Sequence, residues 1–153
     1  MLELRQGDLF RQPRSADQVL IVTTNGDVRR DGQCVMGRGI ARQVRDNVVG
    51  SAARLGALIQ EFGNRPFRIS EGIWSLPVKH HWPEKADLAL IEDSLWLMQD
   101  MVRRFTPHTL MFPRPGCGNG GLDWSDVAPL MTNFDLAVPS ITEIWDFTER
   151  GQR

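Results

Sequence analysis

Short apolar runs alternate along the chain with longer stretches in which hydrophobic residues recur at helical spacing. The helical pattern is strongest from Leu88 to Phe105, where apolar residues recur every three or four positions and Pro107 follows. Short runs bounded by turn residues, such as 19–22, are typical of buried strands. We therefore predict strands at 2–6, 18–23, 67–70, 72–78, 109–112 and 141–146. Helices are predicted at 39–45, 51–62, 88–105 and 125–133.

This order of elements predicts an α/β fold. Strands that alternate with helices form a mainly parallel sheet with helices on both of its faces. The 153 residues contain no repeat, linker or low-complexity segment, so residues 1–153 are predicted to form a single domain. Ligands of such sheets bind beyond the carboxyl ends of the strands. The loops that follow the predicted strands are therefore the first place to search for a functional site.

The most distinctive of these loops follows the predicted strand at 109–112 and contains four glycines in six residues. Its sequence is Pro115-Gly116-Cys117-Gly118-Asn119-Gly120-Gly121-Leu122, and Asp123 is placed to cap a short helix that begins near Trp124. Glycine permits positive φ and close approach of the backbone, while free amide groups and the helix dipole attract phosphate. The alternative is an ordinary turn between strand and helix, which rarely needs more than one or two glycines. The sequence favours a phosphate site.

A second glycine loop lies upstream, after the buried run at 19–22. The chain continues through Thr23-Thr24-Asn25-Gly26-Asp27 and reaches Met36-Gly37-Arg38-Gly39-Ile40 at the start of a predicted helix. This is not the dinucleotide-binding fingerprint, because Arg42 stands at the position of its third glycine. Two such loops can face each other across one edge of a sheet, an arrangement that suits a pyrophosphate. We therefore expect a ligand that carries a diphosphate.

Composition narrows the choice of partners and location. The net charge is −1, from 18 basic and 19 acidic residues, so bulk charge does not indicate nucleic-acid binding, although a local basic patch would escape this sum. Cys34 and Cys117 lie in the predicted ligand loops at a spacing that does not suggest zinc, and a disulfide between them is the less favoured alternative. The chain shows no signal peptide and no span of about 18 apolar residues. We expect a cytoplasmic protein without membrane contact, metal or redox cofactor.

Four ordered segments resemble those of macrodomains, the ADP-ribose-binding modules. They are Gly7-Asp8-Leu9-Phe10, then 35–41, then Pro77-Val78-Lys79-His80-His81-Trp82, and finally 115–124. The last two are similar to the branch that contains the DNA ADP-ribosyl glycohydrolase antitoxins (DarG) and the terminal ADP-ribose protein glycohydrolases. The resemblance extends from Gly7 to about Trp145. It implies a three-layer α/β/α sandwich with a mixed, mainly parallel central sheet.

The resemblance also implies roles for the residues of both loops. Asp8 would accept the adenine amino group with help from the backbone of Leu9, and Asn25 would hydrogen-bond the distal ribose. From the residues alone, Asp8 and Asn25 are better explained as turn residues. The diphosphate and distal ribose would be surrounded by the two glycine loops. These contacts would come from Met36, Gly37, Arg38, Gly39, Ile40, Pro115, Gly116, Cys117, Gly118, Asn119, Gly120, Gly121 and Leu122.

Lys79 is the residue on which the expected chemistry depends. It follows an apolar strand, and from the residues alone it would be a solvated surface charge. The resemblance instead implies an essential lysine, which acts either as a nucleophile at the anomeric carbon or as a charged electrostatic partner. Partial burial beside aromatic residues would favour the neutral amine. We do not expect His80 and His81 to share a metal, because neighbouring residues on a strand point to opposite faces.

Two departures from the branch affect the expected substrate. The protein-directed glycohydrolases have a catalytic aspartate at the position of Gly120, whereas the antitoxins have a glycine there. The first loop, with Asn25-Gly26, is longer than in the antitoxins.

We expect hydrolysis of mono-ADP-ribosyl linkages, with thymidine-linked ADP-ribose on DNA as the first choice and carboxylate-linked ADP-ribose on protein as the second. The alternatives are a non-catalytic ADP-ribose reader and an ADP-ribose-1''-phosphate phosphatase. The oligomeric state stays open.

Overall fold

Six strands form one sheet in the computed structural model, which describes residues 2–147. The strands are β1 (Leu2–Gln6), β2 (Gln18–Asn25), β3 (Arg68–Ser70), β4 (Ile73–Lys79), β5 (Thr109–Pro113) and β6 (Ile141–Asp146). Their order across the sheet is β1-β6-β5-β2-β4-β3. The short edge strand β3 is antiparallel to β4, and the other neighbours are parallel. The expected mixed, mainly parallel sheet is confirmed.

The helices are α1 (Gly39–Asn47), α2 (Ser51–Phe62), α3 (Leu88–Phe105) and α4 (Trp124–Ala137). The predicted bounds of α2, α3, β1 and β6 are correct, and most other bounds differ by one or two residues. The end of α4 is the largest error, because the helix continues four residues beyond the predicted 133. Phe134 packs into the core and extends the helix, whereas Val138 is extended because Pro139 follows it. A single 3-10 turn at Leu9–Arg11 was not predicted.

Side chains of the central strands alternate between the two faces of the sheet. Val19 and Ile21 belong to the cluster that includes the buried residues of α3 and α4. Leu20 and Val22 belong to the cluster that includes those of α1 and α2. This period of two places one helical layer on each face, as the three-layer sandwich requires. Within residues 2–147, no helix is both long and apolar enough to cross a membrane.

The parallel strands bring their carboxyl ends to one edge of the sheet. The loop from β2 to α1 and the loop from β5 to α4 leave neighbouring strands at this edge. A Cβ built on Gly39 would lie 3.5 Å from Asn119 Nδ2, which shows how closely the two loops approach. The prediction that the two glycine loops face each other is therefore confirmed.

Candidate active site

A cleft of about 1050 Å³ opens between the two glycine loops. This volume lies just above the usual range for small-molecule sites, which is roughly 300–1,000 Å³. Most residues chosen from the sequence line it, namely Asp8, Leu9, Asn25, Met36, Gly37, Arg38, Gly39, Ile40, Lys79, Gly116, Cys117, Gly118, Asn119, Gly120 and Leu122. Pro115 and Gly121 are not among the described residues that line the cleft. Pro115 is buried in the loop, and Gly121 faces Lys85 instead.

The first glycine loop is closed by the side chain of Asn25. Its Nδ2 donates to the carbonyl of Val35 at 3.0 Å, and its Oδ1 accepts from the amide of Asp27 at 3.0 Å. The amide of Val35 donates to the carbonyl of Asp27 at 2.9 Å, which completes the closure. These bonds return the chain to the cleft before Met36. Asn25 thus has the turn role that its sequence position suggested, while its contact with a ribose stays a prediction.

The second glycine loop is folded back on itself. The amide of Leu122 donates to the carbonyl of Gly116 at 2.9 Å, and Gly116 has a φ of +74°, where glycine avoids strain. A Cβ on Gly120 would lie 2.4 Å from that carbonyl oxygen. A Cβ on Gly118 would meet no atom of the described chain within 4 Å. Gly120 is therefore required by packing inside the loop, whereas Gly118 has free space beside it.

Asp123 does not cap α4 in the way that the sequence suggested. It occupies the N-cap position of a fourteen-residue helix, but within residues 2–147 its side chain makes no capping hydrogen bond. Asp123 lines the cleft instead. The neighbouring Arg114 packs its guanidinium over the ring of Trp124 at 5.0 Å and lies 3.4 Å from Asp146. This end of the cleft thus combines an aromatic surface with charges of both signs.

Asp8 lies just beyond the end of β1, close to the end of β6, because the amide of Gly7 donates to the carbonyl of Asp146 at 3.1 Å. Its Oδ1 accepts from the amide of Phe10 at 3.1 Å, and both carboxylate oxygens lie 3.3 Å from Gln43 Nε2. Asp8 therefore caps its 3-10 turn and lines the cleft at the same time. The two interpretations of this residue are compatible.

Sequence reasoning missed several cleft residues. Gln43 comes from the second turn of α1, and Trp145 and Phe147 come from the end of β6. The position of Trp145 and Phe147 at the carboxyl end of a strand was the available signal. A Cβ on Gly7 would lie 3.5 Å from the Trp145 ring, so this side chain lies near Asp8 in the cleft.

Lys79 is fixed against the cleft wall by backbone carbonyls. Its Nζ donates to the carbonyl of Trp82 at 3.1 Å and to the carbonyl of Asn119 at 3.3 Å. Its own carbonyl accepts from Asn64 Nδ2 at 3.0 Å. In the sheet, Lys79 pairs with Asn25 across a register irregularity. The lysine thus connects the end of β4 to both glycine loops, and it is half-buried rather than a free surface charge.

The two histidines after Lys79 have different partners. Because β4 ends at Lys79, both histidines lie beyond the strand, so the expectation that they point to opposite faces of a strand was wrong. His80 Nε2 lies 2.9 Å from Asp87 Oδ2, and His81 Nδ1 lies 2.8 Å from Asp27 Oδ1. Residues 2–147 contain no cluster of three or more His, Cys, Asp or Glu that could hold a metal ion.

The hydrogen bond between His81 and Asp27 shifts both groups in favour of their charged forms. It raises the pKa of His81 above its ordinary value. Burial by itself would raise the pKa of Asp27, but the hydrogen bonds from His81 and from the Trp82 amide outweigh it, so the Asp27 pKa is lowered. Asp27 and His81 therefore form an ion pair whenever the histidine is protonated. This pair joins the first glycine loop to the segment that carries Lys79.

The cysteines do not provide an alternative nucleophile. Burial raises the pKa of the Cys34 thiol to about 12 and that of the Cys117 thiol to about 11. Both therefore stay protonated at neutral pH, and a thiol is a poor nucleophile compared with a thiolate. Both cysteines of the described chain are free, so the disulfide alternative is not present.

Known proteins share this sequence pattern and this fold, although no family model matches the chain. The DNA ADP-ribosyl glycohydrolase of Mycobacterium tuberculosis is 27% identical over 157 residues, which covers 94% of this chain and 41% of that protein. The structure of the macrodomain of Mycobacterium tuberculosis DarG matches with a TM-score of 0.80 and 25% identity, covering 97% of this chain and 99% of that one. Thermosipho africanus DarTG in complex with ADP-ribose matches with a TM-score of 0.74 and 22% identity, covering 94% of this chain and 41% of that one.

The share of each relative that is matched locates the similarity. The chain spans 21% to 41% of the length of the curated relatives that it matches. In contrast, it spans nearly all of the separate macrodomain from Mycobacterium tuberculosis. The four ordered segments, the sheet order and the cleft between two glycine loops agree with that match. This chain has the macrodomain fold, and it is similar to the DNA ADP-ribosyl glycohydrolase and to the DarG macrodomain of Mycobacterium tuberculosis.

Proposed function

We propose that this macrodomain binds ADP-ribose in the cleft and hydrolyses mono-ADP-ribosyl linkages, with thymidine-linked ADP-ribose on DNA as its preferred substrate. The observation that carries the proposal is the position of Lys79. Its Nζ lies between the carbonyls of Trp82 and Asn119 on the cleft wall, and a protein that only bound ADP-ribose would have no need of an amine there. The similar glycohydrolases and the similar DarTG complex with ADP-ribose support the same assignment.

The cleft has a suitable group for each part of ADP-ribose. Asp8 offers carboxylate oxygens to the adenine amino group, and Trp145 and Phe147 offer aromatic surface near it. The glycine loops let backbone amides approach the diphosphate, with Gly37 and Gly118 leaving open space. The distal ribose would then lie toward Lys79, since Lys79 contacts Asn119 at the tip of the second loop.

Lys79 can assist hydrolysis in two ways. As a neutral amine, it forms a bond to the anomeric carbon while the bond from that carbon to the departing group breaks, and water later releases the lysine. As an ammonium ion, it stabilises the negative charge that develops on the departing group. Both routes pass through a transition state in which the sugar carries positive charge. Lys79→Arg separates them, because a guanidinium keeps the charge but cannot act as the nucleophile.

Trp82 supports the choice of a nucleobase as the departing group. Trp82 is 52% exposed and lines the cleft, and its carbonyl accepts from Lys79 Nζ. Stacking of a base on an aromatic side chain contributes about 1–3 kcal/mol. A carboxylate on a protein side chain gains nothing comparable. An exposed indole on a residue whose carbonyl bonds the lysine therefore favours thymidine over aspartate or glutamate as the point of attachment.

The test is to incubate the protein with ADP-ribosylated DNA and with automodified protein, and to follow the release of free ADP-ribose. We expect release from DNA to be faster, and Trp82→Ala to slow it by about tenfold or more, equivalent to at least about 1.4 kcal/mol, without the same loss on protein. Binding without release from either substrate would show a reader instead. Release of inorganic phosphate from ADP-ribose-1''-phosphate, with both other substrates intact, would show a phosphatase.

A further inference from the structure

Asp27 connects the first glycine loop to the segment that follows Lys79, although it is not among the described residues that line the cleft. Its Oδ2 accepts from the backbone amide of Trp82 at 2.7 Å, and its Oδ1 lies 2.8 Å from His81 Nδ1. These partners lie 54 and 55 positions further along the chain. The carboxylate thus uses both of its oxygens to hold a distant segment.

The contacts continue from Trp82 to the amine of Lys79. The carbonyl of Trp82 accepts from Lys79 Nζ at 3.1 Å. The backbone of Trp82 therefore bonds both residues, because its amide donates to Asp27 and its carbonyl accepts from Lys79. Two other bonds hold the preceding backbone, from Asn64 Nδ2 to the Lys79 carbonyl at 3.0 Å and from the Gly26 amide to the His80 carbonyl at 3.1 Å. Asp27 is therefore part of a small set of anchors, and it bonds Trp82 itself.

From this chain of contacts we infer that Asp27 is a positioning residue for the Lys79 amine, acting through the backbone of Trp82. The inference rests on the proposed hydrolase function, and it assigns Asp27 no contact with the substrate. The turn at 79–82 leaves the end of β4, and an exposed turn of this kind is free to change conformation unless its backbone is bonded. The Asp27 carboxylate restricts this motion at Trp82, whose carbonyl accepts from the Lys79 amine.

Small displacements of a catalytic group have large effects on rate. A misplacement of about 1 Å can cost roughly a hundredfold in rate. Because Asn64 and Gly26 still hold the backbone of Lys79 and His80, loss of the Asp27 carboxylate should have a smaller effect. We expect Asp27→Ala to lower kcat by about tenfold and to change the affinity for ADP-ribose by less than about threefold.

Two further variants separate position from general disturbance of the loop. In Asp27→Asn the amide oxygen still accepts from the Trp82 amide, so this variant should recover most of the rate. Asp31→Ala is the matched control, since it also removes a carboxylate from the first loop. Asp31 bonds Gln33 and Arg29 within that loop, so its loss should leave hydrolysis at the wild-type rate.

A second measurement reads the position of the amine directly. The sequence has two lysines, Lys79 and Lys85, so selective labelling of lysine with ¹³C at Cε gives one NMR signal from each. We expect Asp27→Ala to shift the Lys79 signal and to leave the Lys85 signal unchanged. Asp31→Ala should shift neither. This readout needs no substrate and no turnover.

The outcomes keep the inference apart from the proposed function. An unchanged Lys79 signal in Asp27→Ala, or a wild-type kcat in that variant, overturns the positioning role. A loss of ADP-ribose affinity that equals the loss of rate also overturns it, because the carboxylate would then support the loop as a whole. If wild-type protein releases ADP-ribose from neither substrate, the proposed function fails, while the Lys79 signal still decides whether Asp27 sets the place of the amine.

Discussion

Gly118 and Gly120 lie two residues apart in the second glycine loop, and the structure predicts that their substitution affects different properties of the protein. In the described chain neither glycine has a positive φ, so a side chain at either position adds contacts rather than backbone strain. A Cβ on Gly120 would lie 2.4 Å from the Gly116 carbonyl oxygen and 2.8 Å from Ala86 Cβ. A Cβ on Gly118 would meet no described atom within 4 Å, and Gly118 lines the cleft.

Gly120→Ala should therefore lower stability, whereas Gly118→Val should lower binding. Overpacking of a buried site costs about 1–3 kcal/mol, and a domain of this size loses roughly 2–4 °C in Tm per kcal/mol. Gly118→Val should keep the free energy of unfolding within about 0.5 kcal/mol of wild type, as surface substitutions do. Its side chain would occupy space that the diphosphate needs. We expect at least a tenfold loss of affinity, or about 1.4 kcal/mol.

Thermal denaturation and titration calorimetry with ADP-ribose measure the two effects separately. Wild-type protein should bind one ADP-ribose with a micromolar Kd, which corresponds to about 8 kcal/mol. If Gly118→Val binds ADP-ribose as tightly as wild type, the open space beside Gly118 is not the diphosphate site. If Gly120→Ala is as stable as wild type, the argument from close packing inside the loop is wrong.

Three further outcomes are expected. Asp8→Ala should weaken ADP-ribose binding by about 1–3 kcal/mol in calorimetry, because a charge-assisted hydrogen bond is lost; unchanged affinity would leave Asp8 as a turn residue only. An NMR titration should give His81 a pKa above its ordinary value. Its ion pair with Asp27 is then fully formed at pH values below the ordinary histidine pKa, and it is lost as the pH rises through the raised pKa. Asp27→Asn should return the pKa of His81 toward its ordinary value. His80→Ala and His81→Ala should each slow hydrolysis much less than Lys79→Ala, measured as release of ADP-ribose.

The elements of this fold were predictable because each depends on a local pattern. The stripe on α3 and the apolar run of β2 specify one buried helix face and one strand buried on both faces. The end of α4 was not predictable in the same way, since Phe134 extends the helix through tertiary packing. The Asp123 cap failed for a related reason, because a position before a helix does not determine where its side chain points.

Most residues that line the cleft were predictable from the sequence, but the contacts between them were not. Glycine-rich loops after buried strands identified the cleft, because parallel strands bring their carboxyl ends together. The bond from Lys79 to Asn119 spans 40 positions, and that between Asp27 and His81 spans 54. No local pattern encodes such pairings, so Asp27 had no visible role in the sequence. Trp145 and Phe147 were missed because aromatic residues near an edge strand are equally typical of packing.

The most direct test of the account is a comparison of wild type with Lys79→Ala in two measurements, ADP-ribose affinity and release of ADP-ribose from modified DNA. A group that acts mainly in the transition state contributes little to ground-state binding. We expect the Kd of Lys79→Ala to stay within a few-fold of wild type, while its rate of release falls by at least about a hundredfold. If Lys79→Ala releases ADP-ribose from modified DNA as fast as wild type, the lysine has no catalytic role and the proposed hydrolysis mechanism is wrong.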